Sequence, residues 1–256
     1  LFNAASTVVV SSLETLVLSL SGWELSSIHL LQYLPYWAVL LVGFVVRDFV
    51  QWNTHRLLHR YEWLWEFHKV HHSVEQMGFA AHLRYHWAET VVYRSLEYLP
   101  LAILGVGLHE FFVIHIFTVA VGHYNHTNFY LSPSAKGIVF GGILGAFAAL
   151  VALQLPLWWE GCAVIAAASA LGWLVRPVWG YLFNSPEMHI WHHAYDLPAE
   201  RPHGVNFGIT LAIWDYLWGT NYIPHDGRDI RLGFADIEHF PKDFFSQSVH
   251  GIIKQN

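Results

Sequence analysis

Long apolar runs constrain this chain more than any other feature of its sequence. Runs of near-spanning length occupy about residues 4–20, 34–50, 95–122, 138–158 and 160–176. Such runs are typical of helices whose surroundings are lipid rather than water. Across all 256 residues, 54% are apolar and only 12% are charged. The sequence therefore predicts an integral, multi-pass membrane protein with an all-α fold.

The 95–122 run is interrupted in a way that favours a helical hairpin. Pro100 lies inside it, and Gly105, Gly107 and the polar pair 109–110 follow near its middle. Proline and glycine at these positions suit two short helices that meet at a polar turn better than one straight span.

A second hairpin is predicted over 138–176. Pro156 and Glu160 divide its two apolar halves. Gly141, Gly142 and Gly145 would let the backbones of neighbouring helices approach closely.

The polar segments are expected to share one side of the membrane. Basic residues lie outside the apolar runs or at their edges, and hairpins that return to their starting side place them on one face. The positive-inside rule makes that face cytoplasmic. Segments 51–90 and 185–220 are predicted to form amphipathic helices that cap it. We expect one domain over 1–256, with a motif-bearing core over about 45–222 and the 138–176 hairpin as an insertion.

Charge excludes nucleic acid as a partner. The net charge is −6, from 13 basic and 19 acidic residues, and no basic stripe runs along the chain. A nucleic-acid interface requires such a stripe to neutralise phosphates.

Histidine is in excess, with 19 residues against 13 Lys and Arg together. Ten of these histidines form four groups: His55 and His59; His68, His71 and His72; His123 and His126; His189, His192 and His193. Spacings of three and four residues place side chains on one helix face. Neutral imidazole is the commonest protein metal ligand. Because one first-row ion accepts at most about six ligands, ten histidines predict two neighbouring ions.

The residue types favour iron. Structural zinc prefers a closed site with cysteine, and Cys162 is the only cysteine. An all-imidazole dinuclear site with open positions suits iron or copper chemistry with oxygen, and we expect iron. Carboxylates and amides near the motifs are candidates to accept the second ring N–H of a ligating histidine: Asp48, Glu89, Asp196, Asp215, Asn125 and Asn206.

Two other functions compete with this hypothesis. Paired histidines in membrane helices also hold b-type haem, which would make the chain an electron carrier, but a bis-histidine haem explains four histidines rather than ten. A metal-binding transporter or store would need polar residues in the middle of the spans. The spans offer mainly His109, Glu110 and His115.

Several motifs together resemble a known family. They are His55-Arg-Leu-Leu-His59, His68-Lys-Val-His-His72, Leu83-Arg-Tyr-His-Trp-Ala-Glu89, Asn125-His-Thr-Asn128, Ser185-Pro-Glu-Met-His-Ile-Trp-His-His193, Asn206-Phe-Gly208 and Trp214-Asp-Tyr-Leu-Trp-Gly-Thr220. Their order and spacing resemble the sterol desaturase and fatty acid hydroxylase superfamily of membrane di-iron oxygenases.

The resemblance implies an oxidoreductase that uses two irons, O2 and external electrons to hydroxylate or desaturate a lipid. A cytochrome- or ferredoxin-type donor with its reductase would supply the electrons. The grouped histidines other than His123 match the family's ligands, and spacing adds His123. His86 stands where the family often has His-Pro-x-Glu, although Trp87 replaces proline, so His86 is an active-site candidate beside Asn125 and Asp215.

Overall fold

The structure, a computed structural model, describes residues 15, 19, 30–31, 33–156 and 158–252. Within these residues the chain is all-α, and the only β pairing is two isolated bridges, Phe183 with Leu211 and Ala194 with Leu232. The all-α prediction is therefore confirmed. The apolar run at 4–20 lies outside the described residues apart from positions 15 and 19.

The first long helix, α1, spans Tyr36–Arg60. It begins after Pro35, whose fixed φ suits a helix start, and ends where Tyr61 becomes extended. The apolar run at 34–50 forms its first half. Residues 51–60 continue the same helix, so the prediction of a separate surface helix from residue 51 is wrong. The continuous helix carries His55 and His59 directly from the apolar half into the site.

The predicted hairpin at 95–122 is confirmed. Helix α2 spans Glu62–His72, a 3₁₀ helix spans Phe79–Leu83, and two longer helices follow, α3 (Trp87–Leu104) and α4 (Leu108–Asn125). Gly105 ends α3 with a φ of 88°, a left-handed conformation that glycine adopts without strain.

Close glycine packing in the second hairpin is also confirmed. Helix α5 spans Pro133–Phe147 and continues through a π-helical turn to Ala152, and α6 spans Trp159–Leu174. A Cβ added at Gly172 would lie 2.1 Å from the carbonyl oxygen of Gly137, and one at Gly141 would lie 2.4 Å from that of Ala168. Only glycine permits this separation of the two backbones.

The C-terminal part is less helical than predicted. Its helices are α7 (Arg176–Leu182), α8 (Pro186–His192), α9 (Ile213–Leu217) and α10 (Phe244–Val249), with a 3₁₀ turn at Ile237–His239. Residues 193–212 form a loop held by side-chain hydrogen bonds, where amphipathic helices were expected. This loop folds back onto the end of α1.

By length and composition, one helix among the described residues could cross a membrane alone, Pro133–Ala152. Helices α6 and α7 pass the same test only as a pair, and they are bent by 86°. Large apolar side chains are exposed on every long helix, among them Leu41, Leu96, Ile116, Leu144 and Leu171. Exposure of this kind on several neighbouring helices is typical of a surface covered by lipid.

Candidate metal centre

Nine of the ten predicted histidine ligands meet in two groups. The five-histidine group is His55, His59, His68, His72 and His192, and the four-histidine group is His71, His126, His189 and His193. Within each group the ligand nitrogens all lie within 4.8 Å of one another. Residues that are up to 137 positions apart in the chain thus converge on two points.

Four elements bring these side chains together. His55 and His59 lie in the last turns of α1, and His68, His71 and His72 end α2. His189 and His192 lie on α8. His126 and His193 cap the C-terminal ends of α4 and α8. Helix ends therefore supply the whole site. It lies where the apolar helices meet the polar segments 51–90 and 185–220.

Hydrogen bonds determine which ring nitrogen of several histidines carries the proton. The Nδ1 atoms of His55, His71, His126 and His192 lie 2.6–3.0 Å from the carbonyl oxygens of Phe207, Arg84, Gly122 and Val205. A carbonyl oxygen only accepts, so each Nδ1 must donate. In the neutral imidazole, Nε2 then presents a lone pair.

These lone pairs face each other across the site. His126 Nε2 lies 3.2 Å from His71 Nε2, and neither atom has a proton to donate in the neutral state. His55 Nε2 lies 3.1 Å from His68 Nε2, while His68 Nδ1 lies 2.8 Å from Glu89, to which it donates when the carboxyl group is ionised. Two acceptors at hydrogen-bond distance repel unless a cation lies between them. The donor sets thus fit two metal ions, because nitrogens about 3 Å apart match neighbouring ligands with bonds of about 2 Å.

Burial keeps the imidazoles in the ligating form. It lowers the pKa of His55 to about 4 and that of His126 to about 3, despite their backbone hydrogen bonds. The pKa values of His68, His72 and His189 are lowered well below the ordinary histidine value by the same desolvation. The imidazoles are therefore neutral at pH 7. Hydrogen bonds from a protonated ring to its neighbour are accordingly disfavoured.

The four-histidine group contains buried nitrogens without any protein partner. Both ring nitrogens of His193 and Nδ1 of His189 have none among the described residues, although both side chains are fully buried. The two groups also adjoin, because the rings of His72 and His193 stack with centroids 4.3 Å apart. A bound ion would satisfy one of the two unpaired nitrogens of His193.

Glu89 and Asp215 support the five-histidine group in different ways. Glu89 accepts directly from His68, and burial raises its pKa to about 8. Asp215 accepts from the backbone N–H groups of Phe207 and Gly208 and from the side chains of Trp52 and Thr220. It thereby fixes the loop whose carbonyl oxygen receives the Nδ1 proton of His55.

Three predicted site residues lie elsewhere. His123 is outside both groups: its Nδ1 donates to the carbonyl oxygen of Phe79, and its ring stacks on Phe79. His86 caps α3 by accepting from Ala88 N–H, and its Nε2 donates to the carbonyl oxygen of Ser248. Asn125 donates to the carbonyl oxygen of Ile209. Backbone groups therefore engage at least one polar atom of each of these residues, whereas the buried Oδ1 of Asn125 has no partner among the described residues.

Asn206 and Asp48 hold the loops around the site, whereas Asp196 is exposed. Asn206 donates to the carbonyl oxygens of Met188 and Tyr222 and adopts a φ of 54°. Asp48 accepts from Trp214 and from the backbone of Leu211.

Sequence reasoning missed Tyr85, which stacks on His71 with ring centroids 4.7 Å apart. It also missed the carbonyl acceptors, since every residue carries a carbonyl and no residue type marks them.

Cavities reach the site from two sides. A cavity of about 560 Å³ has His59, His72 and His192 in its wall, together with Arg201. On the other side, a narrow cavity of about 30 Å³ touches His55, His68 and His71. It shares Tyr85, Thr90 and Arg94 with a larger cavity of about 410 Å³.

Comparisons with known proteins agree with this geometry. The model of the fatty acid hydroxylase family matches residues 40–143, which include five of the histidines from α1 and α2 and also His126. A curated relative, the ornithine lipid hydroxylase OlsE of Rhizobium tropici, is 25% identical over 195 residues, 76% of this chain. The chain spans 45% of that relative's length. No solved structure matches.

The histidine motifs, the family match and the similarity to a lipid hydroxylase agree with one another. The matched region contains the histidine motifs at 55–59 and 68–72, which converge in the structure. The motif at 189–193 completes both histidine groups. Over residues 40–143 the chain is similar to the fatty acid hydroxylase family, and over 76% of its length it is similar to a lipid hydroxylase, which agrees with the resemblance of its motifs to the sterol desaturase and fatty acid hydroxylase superfamily.

Proposed function

We propose that this protein is a multi-pass membrane enzyme that hydroxylates a lipid, with two non-haem iron ions held by the nine converging histidines. The observation that carries the proposal is the convergence of nine imidazoles in two groups, in one of which the Nε2 lone pairs of His71 and His126 face each other. His55, His59, His68, His72 and His192 would hold one ion, and His71, His126, His189 and His193 the other.

When bound, two such ions supply the redox chemistry by which O2 is reduced and a C–H bond is oxidised. The overall reaction consumes O2, two electrons and two protons, and it yields the hydroxylated lipid and water. The chain's own contribution is to hold the ligands rigidly, place the substrate carbon near them and limit access of water.

Hydroxylation is favoured over desaturation by the comparisons. The matching family model describes fatty acid hydroxylases, and the relative is a hydroxylase of a lipid.

A haem carrier is disfavoured by the number of converging histidines. A bis-histidine haem would use two histidines of a group, whereas the groups bring together five and four.

Electrons would come from an external cytochrome- or ferredoxin-type donor. The cavity of about 560 Å³ offers it an approach, because three histidines of the five-histidine group form part of its wall. Arg201 lies in the same wall and donates to the carbonyl oxygen of Gly219. The histidine groups would face the cytoplasm, where such donors are found, as the positive-inside rule predicts.

The test is lipid turnover under oxygen-18 gas. Purified protein with iron, a reductase system and a mixed lipid extract should produce a lipid that carries one oxygen-18 atom. His192→Ala should abolish this product, and His239→Ala, at an exposed position outside both groups, should not. A desaturated product without oxygen-18 would show that the enzyme is a desaturase rather than a hydroxylase. An active His192→Ala enzyme would refute the assignment of the metal site.

A further inference from the structure

The cavity of about 410 Å³ lies between the 3₁₀ helix, α3, α4 and α10. Its mouth is apolar and exposed: Leu83 is 65% exposed, Trp87 47% and Phe244 66%. Exposed tryptophan and phenylalanine side chains beside apolar helices are typical of the membrane interface. The mouth is therefore suited to contact with lipid.

The inner end of this cavity is polar. Tyr85, Thr90 and Arg94 line both this cavity and the narrow one that touches His55, His68 and His71. These three side chains therefore lie between the larger cavity and the histidines, on any path that would connect the two. The polarity of such a path increases inward, the opposite of what a hydrocarbon tail entering first would require.

Arg94 brings a guanidinium group with an unpartnered donor to that inner end. Its Nη1 lies 2.6 Å from Glu97 Oε2, and the same oxygen accepts from Arg47 at 2.9 Å. Glu97 therefore contacts both guanidinium groups, while Asp48 adds negative charge near Arg47 and Glu89 adds it near Arg94. Arg94 Nε is buried and has no partner among the described residues. Arg47 is fully buried and lines neither cavity, so Arg94 alone of the two faces the path.

The neighbouring titratable groups do not engage that donor. Glu89, five residues before Arg94 on α3, lies 2.8 Å from His68 Nδ1. His115 from α4 lies 3.4 Å from Arg94 Nη1 and carries no negative charge in either protonation state. A guanidinium with free donors binds carboxylate or phosphate groups strongly, because charge and planar geometry both match.

Building on the proposed lipid hydroxylation, we propose that this cavity admits the polar end of a lipid that carries a carboxylate or phosphate. Arg94 is the residue that selects it. The acyl chain leaves through the apolar mouth toward the membrane. The carbon nearest the histidines then belongs to the head-proximal part of the lipid, and Tyr85, stacked on His71, lies at the passage.

Lipid binding tests this proposal without relying on turnover. Native mass spectrometry of the purified, iron-loaded protein in detergent would measure the affinity for phosphatidic acid, palmitic acid and diacylglycerol. Arg94→Gln leaves Glu97 paired with Arg47, and Arg94→Lys keeps the charge. Arg228→Gln is the matched control, since Arg228 pairs with Asp226 at an exposed site.

We expect Arg94→Gln to weaken binding of the acidic lipids about tenfold or more, with diacylglycerol unaffected. Arg94→Lys should retain much of the affinity, and Arg228→Gln should match the unmodified protein. The acidic lipid that depends more strongly on Arg94 identifies the recognised group.

Equal binding of acidic lipids by Arg94→Gln and Arg228→Gln, at equal iron content, would overturn the proposal. So would an unmodified protein that shows no preference for acidic lipids. Arg94-dependent binding without turnover of any lipid would support this recognition and count against the proposed hydroxylase. Turnover of neutral and acidic lipids alike by Arg94→Gln would support the proposed hydroxylase and count against recognition by Arg94.

Discussion

Asp215→Asn should weaken one metal site while leaving the other intact. Asp215 is fully buried and receives hydrogen bonds from Trp52 at 3.0 Å, Phe207 N–H at 3.0 Å, Gly208 N–H at 2.7 Å and Thr220 at 2.5 Å. Asparagine retains one oxygen for three of these donors. Its NH2 group then faces the Gly208 N–H, which loses its acceptor in a buried place.

The cost follows from those contacts. An orphaned buried donor costs about 1–3 kcal/mol, and hydrogen bonds to a charged acceptor are stronger than those to a neutral one. Together these effects lower the free energy of unfolding by about 2–4 kcal/mol. The loss is concentrated in the 205–208 loop. Carbonyl oxygens of Val205 and Phe207 accept from His192 and His55, which both belong to the five-histidine group.

Histidines whose second nitrogen loses its support bind metal about 10–100-fold more weakly. In Asp215→Asn we expect one of two irons to be lost at correspondingly lower chelator concentrations. The four-histidine group should keep its ion, since its known supports are Arg84 and Gly122. Iron per chain after dialysis against increasing chelator concentrations measures the loss of iron affinity. Thermal unfolding in detergent measures the loss of stability.

Asp226→Asn is the control, because Asp226 is exposed and pairs with Arg228. Equal iron retention and equal unfolding temperature for the two variants would refute the claim that Asp215 supports the site.

Further predictions concern the hairpin, the outlying histidine, the outer carboxylate and the metal. Gly172→Ala should destabilise the α5–α6 hairpin by about 1–3 kcal/mol in thermal unfolding, whereas Gly180→Ala, with open space around its Cβ, should not. His123→Ala should retain the full iron content by elemental analysis. Glu89→Gln should lower iron affinity about 10–100-fold through His68, measured by chelator competition. Iron added at about 1,000 times its Kd should stabilise the apoprotein by about 4 kcal/mol, and no shift in unfolding would contradict binding to the folded state.

The apolar pattern and the glycines predict the helical framework well. Gly105 ends α3 where the sequence predicts a turn, and Gly141 packs against α6 as expected. Both are local effects, since glycine acts through its own backbone. The 193–212 loop was missed because its structure depends on Asn206 and Asp215, whose hydrogen-bond partners are distant in sequence.

The histidine site is predictable only as far as helical periodicity extends. His55, His68 and His189 lie within helices, where spacings of three and four fix a common face. His126 lies one residue beyond the last residue of α4. In the structure its ring faces His71, whereas the ring of His123 stacks on Phe79.

Iron stoichiometry in defined variants tests the central claim most directly. Elemental analysis and an optical spectrum of the purified protein should show about two irons per chain and no haem. His189→Ala and His192→Ala lie in different groups, so each should lower the content to about one, while His239→Ala should leave it at two. Three results would contradict two histidine-held iron sites. They are a haem spectrum, the absence of iron in folded protein, and an equal iron content in His189→Ala, His192→Ala and His239→Ala.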